Sequence, residues 1–336
     1  MVGNTVSVID VATGVVGAPI TVGSDPDRVT FTPDGTKAYV TNNTDGTVSV
    51  INVASGAVSA PISVGTNPSG VAITPDGTKA YVANNGGTTV SVIDVATGVV
   101  SSTISVGVGP IGVAIAPGGT KAYVANNGGN TVSVINVATG VVSSTISVGV
   151  GPAEVAITPD GTKAYVTNNG GNTVSVIDVA TGAVSAPISV GTSPIGVAIT
   201  PDGTKAYVAN NGGTTVSVID VATGVVSAIT VGIGPAGVAF TPCAAASSTV
   251  SPDGRTVTVS GSGYAPASTV TVSIASTPLT LGTATVASDG TFSAAFTVPC
   301  TVESGAHTIT ATAGSGLSAS TPVTLGACAA VLSFTG

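Results

Sequence analysis

The sequence predicts an all-β fold built from a repeated unit, on three observations. Val, Thr, Ser, Ala and Gly dominate, and only 7% of the 336 residues are charged; this composition favours strands and turns over helices. The phrase from Pro75 to Gly98, "PDGTKAYVANNGGTTVSVIDVATG", returns almost unchanged at Pro33, Pro117, Pro159 and Pro201, a step of 42 residues. Inside each copy Val and Ile alternate with Ser and Thr, the period-two pattern of a strand.

The elements follow in order. In the second full unit, strands A, B, C and D are expected over 70–73, 79–83, 89–94 and 99–106. Pro75-Asp76-Gly77 turns A into B, Asn84-Asn85-Gly86-Gly87 turns B into C, and Thr97-Gly98 turns C into D. Such residues supply positive φ at low steric cost. Four strands in a repeat of about 40–45 residues are the signature of a β-propeller blade. Residues 1–242 are therefore expected to form a propeller of about six blades. Strands A, C and D occur six times but B only five. The last blade is expected to be a composite of N-terminal C and D with a C-terminal A strand near Phe240, hiding both sheet edges. Its B slot is left to residues 1–4, to 243–248, or to sequence upstream.

A linker is expected over 243–247, and a different grammar over 248–326. "RTVTVSGSGYAPASTVTVSIAS" reads as two alternating strands around Gly263-Tyr264-Ala265-Pro266, and "LGTATVASDGTFSAAFTVP" as a hairpin turning at Asp289-Gly290. About seven short strands in about 80 residues fit an immunoglobulin-like β-sandwich. Residues 327–336 are expected to form a tail.

Two segments carry a resemblance. Tyr39-Val40-Thr41-Asn42 and Tyr165-Val166-Thr167-Asn168, flanked by "TPDGTKAYV" and "TVSVID", resemble the YVTN β-propeller repeat family. The copies at Tyr81, Tyr123 and Tyr207 read Tyr-Val-Ala-Asn. That likeness covers residues 3–242 and implies an archaeal or bacterial surface-layer or cell-surface protein, commonly of seven blades. Residues 248–326 look like the Ig-like modules of actinobacterial wall proteins. Leu332-Ser333-Phe334-Thr335-Gly336 is similar to the Leu-Pro-x-Thr-Gly sorting signal, with Ser333 in place of the proline.

Charge narrows the partners. The net charge is −8, with no basic run, which argues against nucleic acid because phosphate neutralisation needs clustered Lys and Arg. No apolar stretch reaches the length of a transmembrane helix. The opening "MVGNTVSVID" has no signal-peptide pattern, so an export signal is expected upstream. Low charge with abundant Ser, Thr, Asn and Gly suits an extracellular or cell-surface protein.

Candidate sites lie where the repeat breaks. Two residues after each loop proline stand Arg28, Gly70, Gly112, Glu154, Gly196 and Gly237. Glycine suits inner strands crowding an axis, whereas copies one and four carry opposite charges. Facing each other across a six-membered ring, Arg28 and Glu154 would clamp a ligand at the channel mouth. Asp25 and Asp27 form the close carboxylate pair of the array, read as a loop site or a solvated turn. Asn43, Asn85, Asn127, Asn169 and Asn211 pave the face shared by the B–C and D–A loops, where amides can bind sugar hydroxyls or a partner's backbone. The Asp-Gly turns at Asp34, Asp76, Asp160 and Asp202 offer one carboxylate each, too few for calcium. His307 stands alone and is read as structural. Of the three cysteines, strand counting brings Cys300 and Cys328 to one pole as a disulfide and leaves Cys243 free; peptide mapping without reductant, finding Cys243 bridged, would refute this pairing.

The sequence therefore points to a non-enzymatic surface binding or scaffold module with a glycan or protein partner and no cofactor. The alternative is a lactonase-like propeller hydrolase acting at the channel mouth.

Overall fold

The computed structural model describes residues 3–10, 13–240, 245–251, 254–264, 268–274, 279–287, 290–299, 301–313 and 318–326. Their contacts divide the chain into two units, Met1–Phe240 and Thr241–Gly336.

The first unit holds five four-stranded antiparallel sheets. The first comprises β3 (Pro26–Phe31), β4 (Lys37–Asn42), β5 (Thr47–Asn52) and β6 (Ile62–Ser63). The second comprises β7 (Pro68–Ile73), β8 (Lys79–Asn84), β9 (Thr89–Asp94) and β10 (Val99–Ser105). The pattern continues through β11 (Pro110–Ile115) to β14 (Val141–Ser147), β15 (Pro152–Ile157) to β18 (Ile188–Ser189), and β19 (Pro194–Ile199) to β22 (Val226–Thr230). Inside the third sheet, β12 (Lys121–Asn126) runs antiparallel to both neighbours. Before these sheets, β1 (Thr5–Val6) pairs with β2 (Ile20–Thr21) alone.

Local chemistry sets the turns. Thr32 donates to the Asp34 carboxylate through its hydroxyl, and Thr36 donates to it through both its amide and its hydroxyl. Asp76, Asp160 and Asp202 repeat this arrangement, so the Asp-Gly carboxylates are spent on turns. A second series caps the C–D turns, with Thr97 and Thr181 donating to Asp94 and Asp178. Strand D is long where the sequence reads Ser-Ser-Thr, in β10 and β14. It shrinks to two residues after Pro61 and Pro187, in β6 and β18, because proline brings no N–H to the ladder.

These hydrogen bonds make a pH prediction. The Thr200 hydroxyl, with the Thr204 amide and hydroxyl, brings Asp202 down to about 2. Asp34, Asp160, Asp178 and Asp220 are lowered chiefly by the same kind of bond. A depressed carboxyl stabilises the fold above its unfolded value, about 3.9, and that stability fades as pH falls toward the folded value. The melting temperature is therefore expected to drop between about pH 4 and pH 2, and Asp202→Asn is expected to make the drop shallower. A melting temperature flat across that window would contradict the turn chemistry.

Sheets pack through one repeated device. The Tyr side chain of each of the first four B strands plugs the interface with the next sheet: Tyr39, Tyr81, Tyr123 and Tyr165 are each 1% exposed. Tyr39 packs with Val71 and Ile93, Tyr81 with Val113 and Ile135, Tyr123 with Val155 and Ile177, and Tyr165 with Val197 and Ile219. Lysines add a tie: Lys37, Lys79, Lys121 and Lys163 each donate to the carbonyl of Val95, Val137, Val179 and Val221 in the following sheet. The single lysine per repeat thus serves packing.

Among the described residues, the expected composite blade is not a four-stranded sheet. Residues 235–240 are not in a strand, although Phe240 meets Tyr207 edge-on at 5.2 Å between ring centroids. Among the described residues, no B strand pairs with β1 or with residues 235–240. Gly3 and Asn4 do not fill the slot, since Asn4 accepts from Val22 on the line of β1. Residues 245–248 do not fill it either: they belong to β23 (Ala245–Val250), which pairs with β24 (Thr256–Ser262), so the expected linker is partly strand.

The second unit has two sheets. One is ordered β23-β24-β27 and the other β26-β25-β28-β29. The remaining strands are β25 (Thr269–Ile274), β26 (Leu279–Thr285), β27 (Phe292–Thr297), β28 (Gly305–Ala313) and β29 (Ser318–Leu325). Val257, Val259, Val270, Val272, Phe292 and Ile309 share one core. The expected hairpin at Asp289-Gly290 is a crossover instead: β26 pairs with β25, whereas β27 pairs with β24. The local turn survives, with Gly290 donating to Ala287, but a turn does not choose the edge its strands join.

Candidate functional site

The inner strand of each sheet carries an irregularity that builds the site. In the A–B ladders the register slips between Pro26 and Val29, and equally between Pro152 and Val155. Residues 28 and 154 sit in this slip, where their N–H groups leave the ladder. Most copies have glycine here because the next inner strand is close. A Cβ on Gly112 would lie 2.5 Å from the Ala153 carbonyl oxygen, and one on Gly196 would lie 2.6 Å from that of Ala236.

Arg28 and Glu154 meet. The Arg28 guanidinium lies 3.0 Å from the Glu154 carboxylate, and 4.0 Å from Asp27. Between β3 and β15 lie β7 and β11, each touching the next in the row. Packed sheets stand about 10 Å apart, so a straight pile would hold β3 and β15 about 30 Å apart, beyond any side-chain reach. The row of inner strands therefore bends back on itself, and its concave side holds the two charges. Burial holds the Glu154 carboxyl above its ordinary range, while Arg28 pulls it the other way. The Ser69 hydroxyl donates to Asp27 at 2.5 Å.

A second departure accompanies the charges. Thr41 and Thr167 replace the alanine found at Ala83, Ala125 and Ala209. The Arg28 amide donates to the Thr41 hydroxyl at 3.1 Å, and the Glu154 amide to that of Thr167 at 3.0 Å. Each hydroxyl then donates onward, to the carbonyl of Ser69 or Ile195 in the next inner strand. Both threonines are fully buried. Threonine thus occupies this position only in the copies that carry a charged side chain, and it secures the amide freed by the register slip. Sequence reasoning missed the partnership. Its signal was the matched variation, Arg or Glu with Thr against Gly with Ala.

Asp25 takes φ of 56°, in the place filled elsewhere by Asn67, Gly109, Gly151, Ser193 and Gly234, all with positive φ. Short polar residues and glycine tolerate that region, and the Asp25 carbonyl accepts from Asn43. The loop asparagines brace the same face. Asn43, Asn127 and Asn169 donate their side-chain amides to the carbonyls of Pro68, Pro152 and Pro194, and Asn211 to that of Gly234. Asn85 joins through its backbone, donating to Asn67. The B–C and D–A loops thus share one face, and their asparagines stiffen it. The preceding asparagine lies deeper. Asn126 is fully buried and donates to Thr131 and Ser133, as do its counterparts in the other four sheets.

A groove of about 820 Å³ lies away from the charged pair, between the first two sheets, where Pro61 shortens strand D. His307 approaches the Glu303 carbonyl at 2.8 Å within its own unit. Cys243, Cys300, Cys328 and the Leu332–Gly336 segment lie outside the described residues. Among the described residues, no helix is long and apolar enough to cross a membrane.

Comparison with known proteins agrees with the geometry. The family profile of the Choice-of-anchor I domain matches residues 40–193. No curated protein matches the sequence. Among solved structures, a functionally unknown protein from Desulfotomaculum acetoxidans is similar at 20% identity, with a TM-score of 0.61, covering 88% of this chain and 96% of that one. Hydrazine synthase of Kuenenia stuttgartiensis is similar at 26% identity and a TM-score of 0.60, over 72% of this chain and 77% of that one. A candidate 6-phosphogluconolactonase from Bacteroides fragilis is similar at 20% identity and a TM-score of 0.59, over 69% and 78%. These likenesses place the repeated four-stranded sheets among propeller-type all-β folds.

Proposed function

We propose that this chain is a non-enzymatic binding or scaffold module of the bacterial cell surface. Its stiff sheet array offers a charged concave mouth and an amide-rich loop face to a cell-wall glycan or a surface protein. The observation that carries this reading is the paired departure in two repeats out of five. Arg28 with Thr41 and Glu154 with Thr167 break an otherwise uniform text at one place in space. A rigid face lowers the ordering cost of binding. The Choice-of-anchor I match supports a surface role. The second unit would serve as an Ig-like spacer; its three- and four-stranded sheets, joined by crossovers, support that assignment.

The test is a glycan array together with pull-down from bacterial wall fractions. It compares the natural chain with the quadruple variant Arg28→Gly, Thr41→Ala, Glu154→Gly, Thr167→Ala. That variant writes the grammar of the other three sheets into the first and fourth, so the fold is expected to hold. Binding by the natural chain and a loss of about tenfold or more in the variant is expected. Equal binding by both would remove the charged mouth from the site. A stoichiometric divalent ion in the purified protein would instead favour a hydrolase.

A further inference from the structure

Two grooves of unequal size repeat one geometry, and one exchanged residue gives them different charge. The larger, about 820 Å³, opens between the first and second sheets, and the smaller, about 400 Å³, between the fourth and fifth. Both open on sheets whose D strand carries Ala-Pro, at Ala60-Pro61 and Ala186-Pro187. In the second sheet, Ser102 and Thr103 of β10 pair with Val92 and Ser91 of β9. In the first, β6 pairs with β5 only at Val48 and Thr47, and an isolated bridge joins Val58 to Ile51. Between those points the D segment leaves the ladder, because Pro61 brings no N–H to it.

The opening is an apolar trough. Tyr39 and Val50 line it and are buried, so they form its floor, while Val58 and Val99 are exposed at its rim. Ile62 and Val95 complete the walls. An apolar hollow of this size with a few placed polar groups is the form of a small-molecule site.

The polar groups decide what fits. Lys37 lines the larger groove and Lys163 the smaller. Each faces the last residue of strand C across the ladder: Lys163 pairs with Asp178, but Lys37 pairs with Asn52. The smaller groove is thus lined by both charges, and the larger by a lysine with no carboxylate among its lining residues. Asn52 still caps its turn, accepting from the Ser55 amide and hydroxyl, as Asp178 accepts from Thr181. The exchange therefore removes a charge and keeps the bonds. Asp34 also acts on Lys37, but its carboxylate is taken up by Thr32 and Thr36. The Lys37 ammonium donates to the Val95 carbonyl, and an ammonium has three donors.

We propose that the larger groove binds a free fatty acid, with the aliphatic chain over Val50 and Val95 and the carboxylate on the Lys37 ammonium. Burial of methylenes supplies affinity, and the lysine selects the head group. The net charge of −8 opposes anions in general, so attraction for a carboxylate has to come from this site. The proposal goes beyond the glycan or protein partner proposed above and does not depend on what the charged mouth holds.

The experiment titrates the full chain by calorimetry with decanoate and with decyltrimethylammonium, which has the same chain and the opposite charge. One site per chain with a Kd below about 300 µM is expected for decanoate, and binding at least about tenfold weaker for the cation. Asn52→Asp writes the ending of three other C strands, at Asp94, Asp178 and Asp220, into β5, so the fold is expected to hold. Decanoate is expected to bind that variant about threefold to fivefold more weakly. Ala60→Ser with Pro61→Thr writes the Ser-Ser-Thr of β10 into the first sheet and closes the groove, with a loss of about tenfold or more expected. No saturation up to about 5 mM, two equal sites, equal binding of the cation, or unchanged affinity in both variants would overturn the proposal. Binding to phosphatidylglycerol vesicles without binding of free decanoate would also overturn it, in favour of a lipid surface.

Discussion

Replacing Tyr123 with alanine is expected to destabilise the first unit by about 3–5 kcal/mol, the range for a fully buried aromatic side chain. Tyr123 lies in β12 between the third and fourth sheets, against Val155, Ala164, Val166 and Ile177. Truncation removes its packing and leaves a cavity between the two sheets. Tyr207→Ala makes the informative comparison. The same residue in the same motif is only half-buried in the fifth sheet, where its described ring contact is Phe240. A loss of less than half that of Tyr123→Ala is expected. Urea titration of both variants would check this. Equal losses would mean that the last interface is as well covered as the inner ones, against the structure.

The second large effect concerns the inner strands. A Cβ on Gly70 would overlap the Ile111 carbonyl oxygen and come within 3.1 Å of the Val113 nitrogen. Both are backbone atoms, so neither can swing aside as the end of a side chain could. Gly70→Ala is expected to cost about 1–3 kcal/mol through strain on two neighbouring inner strands. Gly237 stands at the equivalent place in the last copy and would meet nothing within 4 Å. Gly237→Ala is expected to stay within about 0.5 kcal/mol of the natural chain. Thermal melts of the two variants would separate crowding from simple repetition. A harmless Gly70→Ala would show that glycine recurs there by descent and not by contact.

Much of this was legible because the text repeats. The period and the turn residues located the four strands of each sheet, and the boundaries moved by one or two residues. The charged pair was legible for the opposite reason: Arg28 and Glu154 interrupt a row of glycines. The rest depended on information that local sequence does not carry. Thr41 and Thr167 looked like neutral alternatives to alanine until the register slip exposed an amide needing an acceptor. Nothing local in the sequence told that the side-chain amides of Asn43, Asn127, Asn169 and Asn211 brace the next loop. Asn126 and its counterparts gave no sign of depth, since a buried amide is stable only through its partners, here Thr131 and Ser133. In the second unit, the Asp-Gly signal marked a turn correctly but said nothing about which sheet the following strand would join. The short D strands after Pro61 and Pro187 went unanticipated, although a missing N–H is a property of the residue itself.

The central claim is that the repeated sheets curve until the first and fourth inner strands face each other. The most direct measurement is an intramolecular cross-link. Cysteines would replace Arg28 and Glu154, with Cys243, Cys300 and Cys328 changed to serine, and a short bismaleimide would be followed by peptide mapping. Curvature predicts a dominant link between the peptides holding positions 28 and 154 within one chain, at a rate independent of protein concentration. Links found only between chains, or none at all, would mean that the sheets run in a straight stack, and the charged mouth would not exist.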